Sequence, residues 1–559
     1  MSRNQPDAPL GEQSPLLPPP SEPSLDGVDH DHNASNQSVT PIRAFCIIAS
    51  LGTLIFLQAC NISGLTTAQS AIAESLDAYS ETTWFVSAYL IAMASMSPLA
   101  GRLSQIFSPR NCVLVFALVF ALGAFITSRA NSLAVFLAGR AITGAGAAGI
   151  LTLAIILVIE LTTKRRRGLF IGLVNAGFTT GVSLGAVIAG ALVGPLGWRF
   201  LFWIQTPFAV AAGLCIFFSI PKTFIAPDDS TGPEKQTIRR KLARVDYLGA
   251  ILLTSSIVLL LVGLSSPKIQ IAPILASIPI LLIFILMETR FTSTPIIPVT
   301  VLKSRGALLT CFAQTGLMAC RWTVLFYTPT YALAIRGWAP VSAGSILIPT
   351  NLGFGLGGVL AGWIHIRRTG SFYVACLATS ALFPFTMVLL GYLSTSNPKA
   401  SPALYFLATF LNGFLTGATL TYTLAHLLHL TPPSTHFIST SLLATFRGFA
   451  ASFGSAIGGG AFTRFLQSSL QQGFASHGLT NKEDLIRRLL GSPVLVSSLI
   501  GVEHEVAIAG YGDSIRGLFY AAAGIGLLGT VLQAGAGWKE GVEAEKEEHR
   551  EEEEVNGVA

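Results

Sequence analysis

Apolar residues recur along this chain in long unbroken stretches, without the strict alternation of a half-buried strand or the one-sided stripe of a soluble helix. The stretches cover about 44–63, 84–103, 112–128, 134–158, 168–193, 198–220, 246–265, 271–288, 306–333, 342–366, 371–393, 402–427, 438–466 and 515–535. Most run to about 17–25 residues, which is what a helix needs to cross a hydrocarbon layer about 30 Å thick. Barrel strands would alternate apolar and polar positions over roughly 10 residues, and these stretches do not. Inside a bilayer the backbone must satisfy its own polar groups, so each stretch is expected to be a helix. The pattern predicts an all-α membrane protein with about fourteen spanning helices, an even number that returns both tails to one side.

Charge decides which side. Arg102 and Arg110 follow the second stretch, Lys164, Arg165, Arg166 and Arg167 the fourth, and Arg367 and Arg368 the tenth. Lys222, Lys235, Arg239, Arg240, Lys241 and Arg244 follow the sixth, whereas residues 64–83 hold Glu74, Asp77 and Glu81 but no Lys or Arg. Basic loops stay in the cytoplasm, so both termini are expected there, with a long loop at about 467–514 on the opposite side. Composition agrees: 51% of the 559 residues are hydrophobic and only 11% charged, too few to cover a soluble surface of this size. The formal charge of +6 is accounted for by these loops and is no sign of a nucleic-acid partner. Residues 1–42 are rich in Pro, Ser, Asp and Asn and read as a disordered tail. The acidic run from Glu543 to Glu554 reads as a solvated one, within a tail at 536–559.

Cys46, Cys60, Cys112, Cys215, Cys311, Cys320 and Cys376 are scattered without metal-ligand or redox spacing, so no metal site is expected. Gly144-Ala-Gly146-Ala-Ala-Gly149 fits the dinucleotide pattern G-x-G-x-x-G, but it lies in an apolar stretch with no βαβ context and reads as close helix packing. No Walker-type, H-E-x-x-H or G-x-S-x-G motif occurs, which argues against an enzyme and against any cofactor.

Secondary transporters are often built from two related halves, and traces of repetition are present. Gly181-Val-Ser-Leu-Gly185 in the fifth stretch has a counterpart in Gly454-Ser-Ala-Ile-Gly458 in the thirteenth. Gly101 to Arg110 has a weaker echo in Gly362 to Arg368. The expected organisation is an N-terminal six-helix bundle at 43–220, a loop with two intervening helices and a linker at 221–304, and a C-terminal six-helix bundle at 305–535.

Gly101-Arg-Leu-Ser-Gln-Ile-Phe-Ser-Pro-Arg110 resembles the loop motif of the major facilitator superfamily, with Gln105 where Asp is usual. Arg140, followed by its Gly-rich run, resembles that superfamily's fourth-helix Arg, which is implicated in coupling. Gly177 through Gly190 resembles its antiporter motif, with Ala186 where a Pro commonly follows Gly185. Trp198 through Pro207, Asp246-Tyr-Leu-Gly249, Pro329-Thr-Tyr331 through Pro349 and Thr445-Phe-Arg447 resemble the fourteen-helix drug:proton antiporter family. Gln205, where Asn is common, is similar to the fungal vacuolar basic amino acid transporters. The first helix reads Gln58-Ala-Cys-Asn61, with Asn61 where the family carries an Asp, and Asn cannot titrate.

The resemblance implies a small-molecule substrate moved with protons by rocking of the two halves. Substrate contacts are expected from Gln58, Asn61, Gln314, Tyr327 and Asn412. Gating or coupling is expected from Gly101, Arg102, Arg110, Arg140, Glu160, Gly181 and Gly185. Glu12 with Leu16 and Leu17 fits an acidic dileucine sorting signal that would engage a sorting adaptor. Import of basic amino acids into the vacuole is the leading expectation. A plasma-membrane exporter of drugs, toxins or secondary metabolites and a non-transporting nutrient sensor stay open.

Overall fold

The computed structural model describes residues 41–161, 167–220, 246–265, 269–290, 304–365, 372–395, 401–431, 436–479 and 481–537. The N-terminal tail with Glu12, Leu16 and Leu17, most of the basic loop residues and the acidic tail therefore lie outside the described residues. Every described element is helical. In the first half these are α1 (Pro41–Leu76), α2 (Thr82–Ile106), α3 (Pro109–Ser128), α4 (Leu133–Leu161), α5 (Arg167–Trp203) and α6 (Gln205–Ser219). Then come α7 (Tyr247–Ser265), α8 (Ile271–Arg290), α9 (Arg305–Ala334), α10 (Pro340–Ser345) and α11 (Leu347–Leu360), which runs into a π turn at Ala361–His365. The chain closes with α12 (Tyr373–Leu393), α13 (Pro402–Leu430), α14 (His436–Ser476), the short α15 (Glu483–Gly491), a 3-10 turn (Pro493–Ser498) and α16 (Val502–Ala534).

Local chemistry sets several boundaries. Pro109 opens α3, where its missing N–H costs nothing. The Ser304 hydroxyl accepts from the Ala307 N–H at the start of α9, and the Asp246 carboxylate accepts from the Gly249 N–H before α7 at 2.8 Å. α5 stops being helical at Gly197, whose φ of +76° suits a residue without Cβ, and the chain turns there towards α6.

Among the described residues ten stretches are long and apolar enough to cross a membrane, one of which, Ala176–Ser219, takes in most of α5 and all of α6. α2, α9 and α14 are not among them. Each carries buried polar side chains, such as Ser87 and Ser95 on α2, Gln314 and Arg321 on α9, and Ser452 and Ser455 on α14. Large apolar side chains face outward instead, including Val115 and Leu122 of α3, Phe208 and Phe218 of α6 and Phe385 of α12, as expected where the solvent is lipid.

Two large buried clusters form the interior, one drawn almost wholly from residues 47–220 and the other mainly from residues 317–523. A smaller cluster joins Leu253, Ile257 and Leu261 of α7 and Phe284 of α8 to Ile91 and Ala94 of α2 and Phe449 and Ala456 of α14. α7 thus leans on α2 and α14, where the two halves meet, and α8 packs on α7. The internal echo has a structural counterpart. A Cβ at Gly181 or Gly185 would come within 2.6 or 2.5 Å of Ala59 or Cys60 on α1; one at Gly454 or Gly458 would come within 2.5 or 3.1 Å of Ala319 or Thr323 on α9. The same small-residue pair seats α5 on α1 and α14 on α9.

The expected long loop at 467–514 needs correction. α14 continues to Ser476 and α16 already begins at Val502. Gln467, Gln471, Gln472, Glu503, Glu505 and Asp513 interrupt the apolar run without interrupting the helix, because polar side chains project outward and leave the backbone ladder intact. Helix α1 likewise starts at Pro41, inside the segment expected to be a disordered tail.

Candidate translocation site

The Gly-rich run of α4 brings that helix against α2 and α3: the positions where Cβ atoms would stand at Gly144, Gly146 and Gly149 are occupied by Tyr89, Phe120 and Phe116. The run is packing, as its context indicated, and the close approach buries Arg140 completely. The Arg140 Nε donates to the Phe85 carbonyl of α2 at 2.9 Å, and its Nη1 donates to the Asn61 Oδ1 of α1. The guanidinium also lies 4.7 Å from the Tyr89 ring centroid and 5.7 Å from that of Phe202, positions that favour a cation. The Asn61 Nδ2 donates to the Gln205 Oε1 at 2.7 Å, and the Gln205 Nε2 donates to the Leu201 carbonyl at 2.9 Å. A single donor chain thus runs from α4 through α1 to α6. It fixes the orientation of both amides, because only the Asn61 oxygen can accept from Arg140. Arg140 Nη2 and the Tyr89 hydroxyl are buried without a hydrogen-bond partner.

A second guanidinium is buried in the other half. Arg321 of α9 donates from Nη1 to the Thr350 hydroxyl at 3.2 Å and from Nη2 to the Asn351 Oδ1 at 2.8 Å. It sits 4.5 Å from the Phe354 ring centroid. Asn351 in turn donates to the Ser183 hydroxyl of α5 at 2.9 Å, a bond between the halves. Arg321 was missed in the sequence, although it too is a guanidinium inside an apolar stretch, at 306–333. Burying a charge in a membrane helix costs about 3 kcal/mol on an insertion scale, and both cations are met by amides, hydroxyls and rings. Among the described residues the buried acidic side chain is Glu288, on α8, away from both.

The halves meet along a polar seam. Thr83 of α2 and Thr463 of α14 are 3.4 Å apart, Ser87 and Ser455 are 3.3 Å apart, and Ser452 donates to the Leu90 carbonyl at 2.8 Å. Gly190 and Ala186 of α5 meet Pro340 and Gly344 of α10 backbone to backbone. These contacts gather towards the end of the bundle opposite Pro41 and Ala534. At that end Arg487 of α15 pairs with Asp77 in the α1–α2 turn at 2.8 Å. A cavity of about 40 Å³ in the seam is lined by Thr66, Gln69, Thr83, Tyr327, Ser455, Thr463 and Tyr511, and Leu490 and Pro493 close it from α15 and the turn beyond.

Of the five expected substrate contacts, Tyr327 lines this cavity, its ring centroid 4.6 Å from that of Phe462 and tilted 43° to it. Asn61 belongs to the Arg140 chain. Gln58 is fully buried and donates to the Met93 sulfur at 3.4 Å. Gln314 and Asn412 stand inside the second half. Gln314 lines a space of about 10 Å³ with Ser380, Thr419 and Gln533, and Asn412 donates to the Thr386 hydroxyl at 2.9 Å. The structure does not bring these five into one site. Of the coupling candidates, Gly181 and Gly185 are helix-packing positions and Arg110 lies over the Phe217 ring at 4.0 Å. Gly101 sits near Thr152 of α4. The side chains of Arg102 and Glu160 lie outside the described residues.

Two helical halves, a polar seam between them and a buried cation in each define the fold of a membrane transporter. The sequence profile of the Major Facilitator Superfamily matches residues 51–455, and the chain belongs to that superfamily. It is 26% identical over 529 residues to the MFS efflux transporter aclA of Aspergillus oryzae, covering 91% of this chain and 92% of that one. It is 26% identical over 442 residues to the MFS-type efflux pump LUC4 of a Fusarium species, covering 77% and 76%. Among solved structures it resembles a bacterial homologue of the human lysosomal transporter Spinster, with a TM-score of 0.62 at 13% identity over 89% of this chain and 97% of that one. The similar proteins are fungal efflux transporters, where the sequence had suggested vacuolar carriers of basic amino acids.

Proposed function

We propose that this protein is a secondary exporter of small organic molecules, with fourteen spanning helices arranged as two six-helix bundles and the α7–α8 pair. Similarity to efflux transporters over nearly the whole chain supports export. The observation that carries the reading is the pair of buried guanidinium groups, Arg140 and Arg321, met by neutral partners. A site for lysine or arginine would place a carboxylate near the cation it binds, and the buried charges described within the two bundles are the cations Arg140 and Arg321. Export out of the cytoplasm replaces vacuolar import of basic amino acids as the preferred function. Transport proceeds by rocking of the halves about the seam, and the contacts Thr83–Thr463 and Ser87–Ser455 belong to the state closed at that end. A pH gradient is the driving force we assign. Asn61 carries no proton, so coupling runs through another group or through the substrate's own acid.

Expression in a transporter-depleted yeast tests the reading. Cells carrying the protein should retain less of a lipophilic acidic dye than cells carrying Arg140→Ala, and lysine content of the vacuole should not change. Equal dye retention in the two strains, or vacuolar lysine that rises with the protein, would overturn it. A fluorescent fusion should outline the plasma membrane, with Leu16→Ala plus Leu17→Ala leaving it there. Vacuolar signal lost in that double variant would contradict the location.

A further inference from the structure

Beside the Arg140 chain, α1, α5 and α6 enclose a cleft of about 250 Å³. Its walls are apolar, with Phe56, Leu65, Ile188, Leu192 and Phe208 among them. Ile188 and Phe208 are 41% and 54% exposed on the outer surface of the bundle, so this flank of the cleft faces lipid. Asn61 and Gln205 supply the amide groups of the lining. Each amide has a second N–H that the Asn61–Gln205 and Gln205–Leu201 bonds leave uncommitted. Behind Asn61 stands Arg140, fully buried, with Nη2 unpartnered and, among the described residues, no carboxylate paired with it. In a low dielectric such a charge acts strongly over the length of one side chain. The electrostatic complement is an anion presented at Asn61 from the cleft.

We propose that the α1–α5–α6 cleft binds a lipophilic monoacid drawn from the membrane, its apolar body among Ile188, Leu192 and Phe208 and its acidic head accepting from Asn61 and Gln205. The volume lies just below the range of about 300–1,000 Å³ typical of drug-sized ligands, which suits one small body and excludes a two-chain phospholipid. The proposal concerns binding, not turnover, and goes beyond the exporter reading by naming the chemistry and the route of access.

The test uses the full chain in phosphatidylcholine nanodiscs with 1-pyrenebutyrate as probe and its methyl ester as the uncharged match. The acid should bind at least about tenfold more tightly than the ester, a factor worth about 1.4 kcal/mol. Ile188→Trp, which fills the mouth from the lipid side, should weaken both probes. Asn61→Asp places a fixed carboxylate against Arg140 and should bring the acid down to the ester's affinity while raising the unfolding temperature or leaving it unchanged. Equal affinity of acid and ester in the wild type would overturn the proposal. So would acid binding that Ile188→Trp leaves intact, or binding lost when anionic phospholipid is added whatever the probe's charge. Any of these would leave the exporter reading standing, because dye export is measured separately.

Discussion

Among single residues, Arg140 and Asn61 hold the centre of the first half together. A guanidinium buried among α1, α2 and α4 gives up hydration and recovers it through the Phe85 carbonyl, the Asn61 oxygen and two ring faces. Replacing it with Ala leaves the Asn61 oxygen unsatisfied, at a cost of about 1–3 kcal/mol, and removes the positive charge from the first half. Arg140→Ala should therefore lower both transport and the unfolding midpoint in detergent. Arg140→Lys should recover some stability and little transport, since one ammonium cannot serve Phe85 and Asn61 from the same fork. Full transport by the Lys variant would show that charge alone suffices. Arg140, Asn61 and Gln205 stood out in the sequence through their places in family-like motifs, but their link did not, since three distant segments must fold together before the donors meet. Gln314 and Asn412 carried the same signal and lie elsewhere. Polarity in an apolar stretch marks a buried group without saying which interior it faces.

Among the elements, the helices were legible because the bilayer demands length and hydrophobicity, and among the described residues ten stretches meet that demand outright. Extended ends were not: α14 and α16 reach past their apolar runs, and hydropathy does not register a helix that leaves the membrane. The Gly181/Gly185 spacing was legible as close packing, and the structure supplies its partner, α1. A larger side chain has no room there, so Gly185→Val should cost about 1–3 kcal/mol through overpacking. Gly177→Ala, whose new methyl would meet the Ile55 Cγ2 at 4.0 Å, should be neutral within error. Thermal unfolding of the two variants in one detergent checks the contrast, and an equal effect would remove the α1–α5 packing argument. Ala186, which stands where the antiporter motif has Pro, accepts from the Thr67 hydroxyl at 3.2 Å and abuts Gly344. It joins α1, α5 and α10, a role the sequence did not reveal.

For the whole molecule, the two halves close on each other through hydroxyl pairs, backbone contacts and the Phe178–Trp322 ring pair. Thr83→Cys with Thr463→Cys, in a chain whose seven native cysteines are replaced, should form an oxidant-induced cross-link, because the hydroxyls already lie 3.4 Å apart. The cross-linked protein should not transport, and reductant should restore it; undiminished transport after full cross-linking would rule out opening at that seam. The role proposed for Arg140 is in the export of small organic molecules, not in the movement of basic amino acids. It is tested most directly in liposomes containing the purified chain under an imposed pH gradient. Arg140-dependent movement of a lipophilic carboxylate is expected, and none of lysine or arginine. Lysine transport that survives Arg140→Ala, with the carboxylate left unmoved, would contradict it.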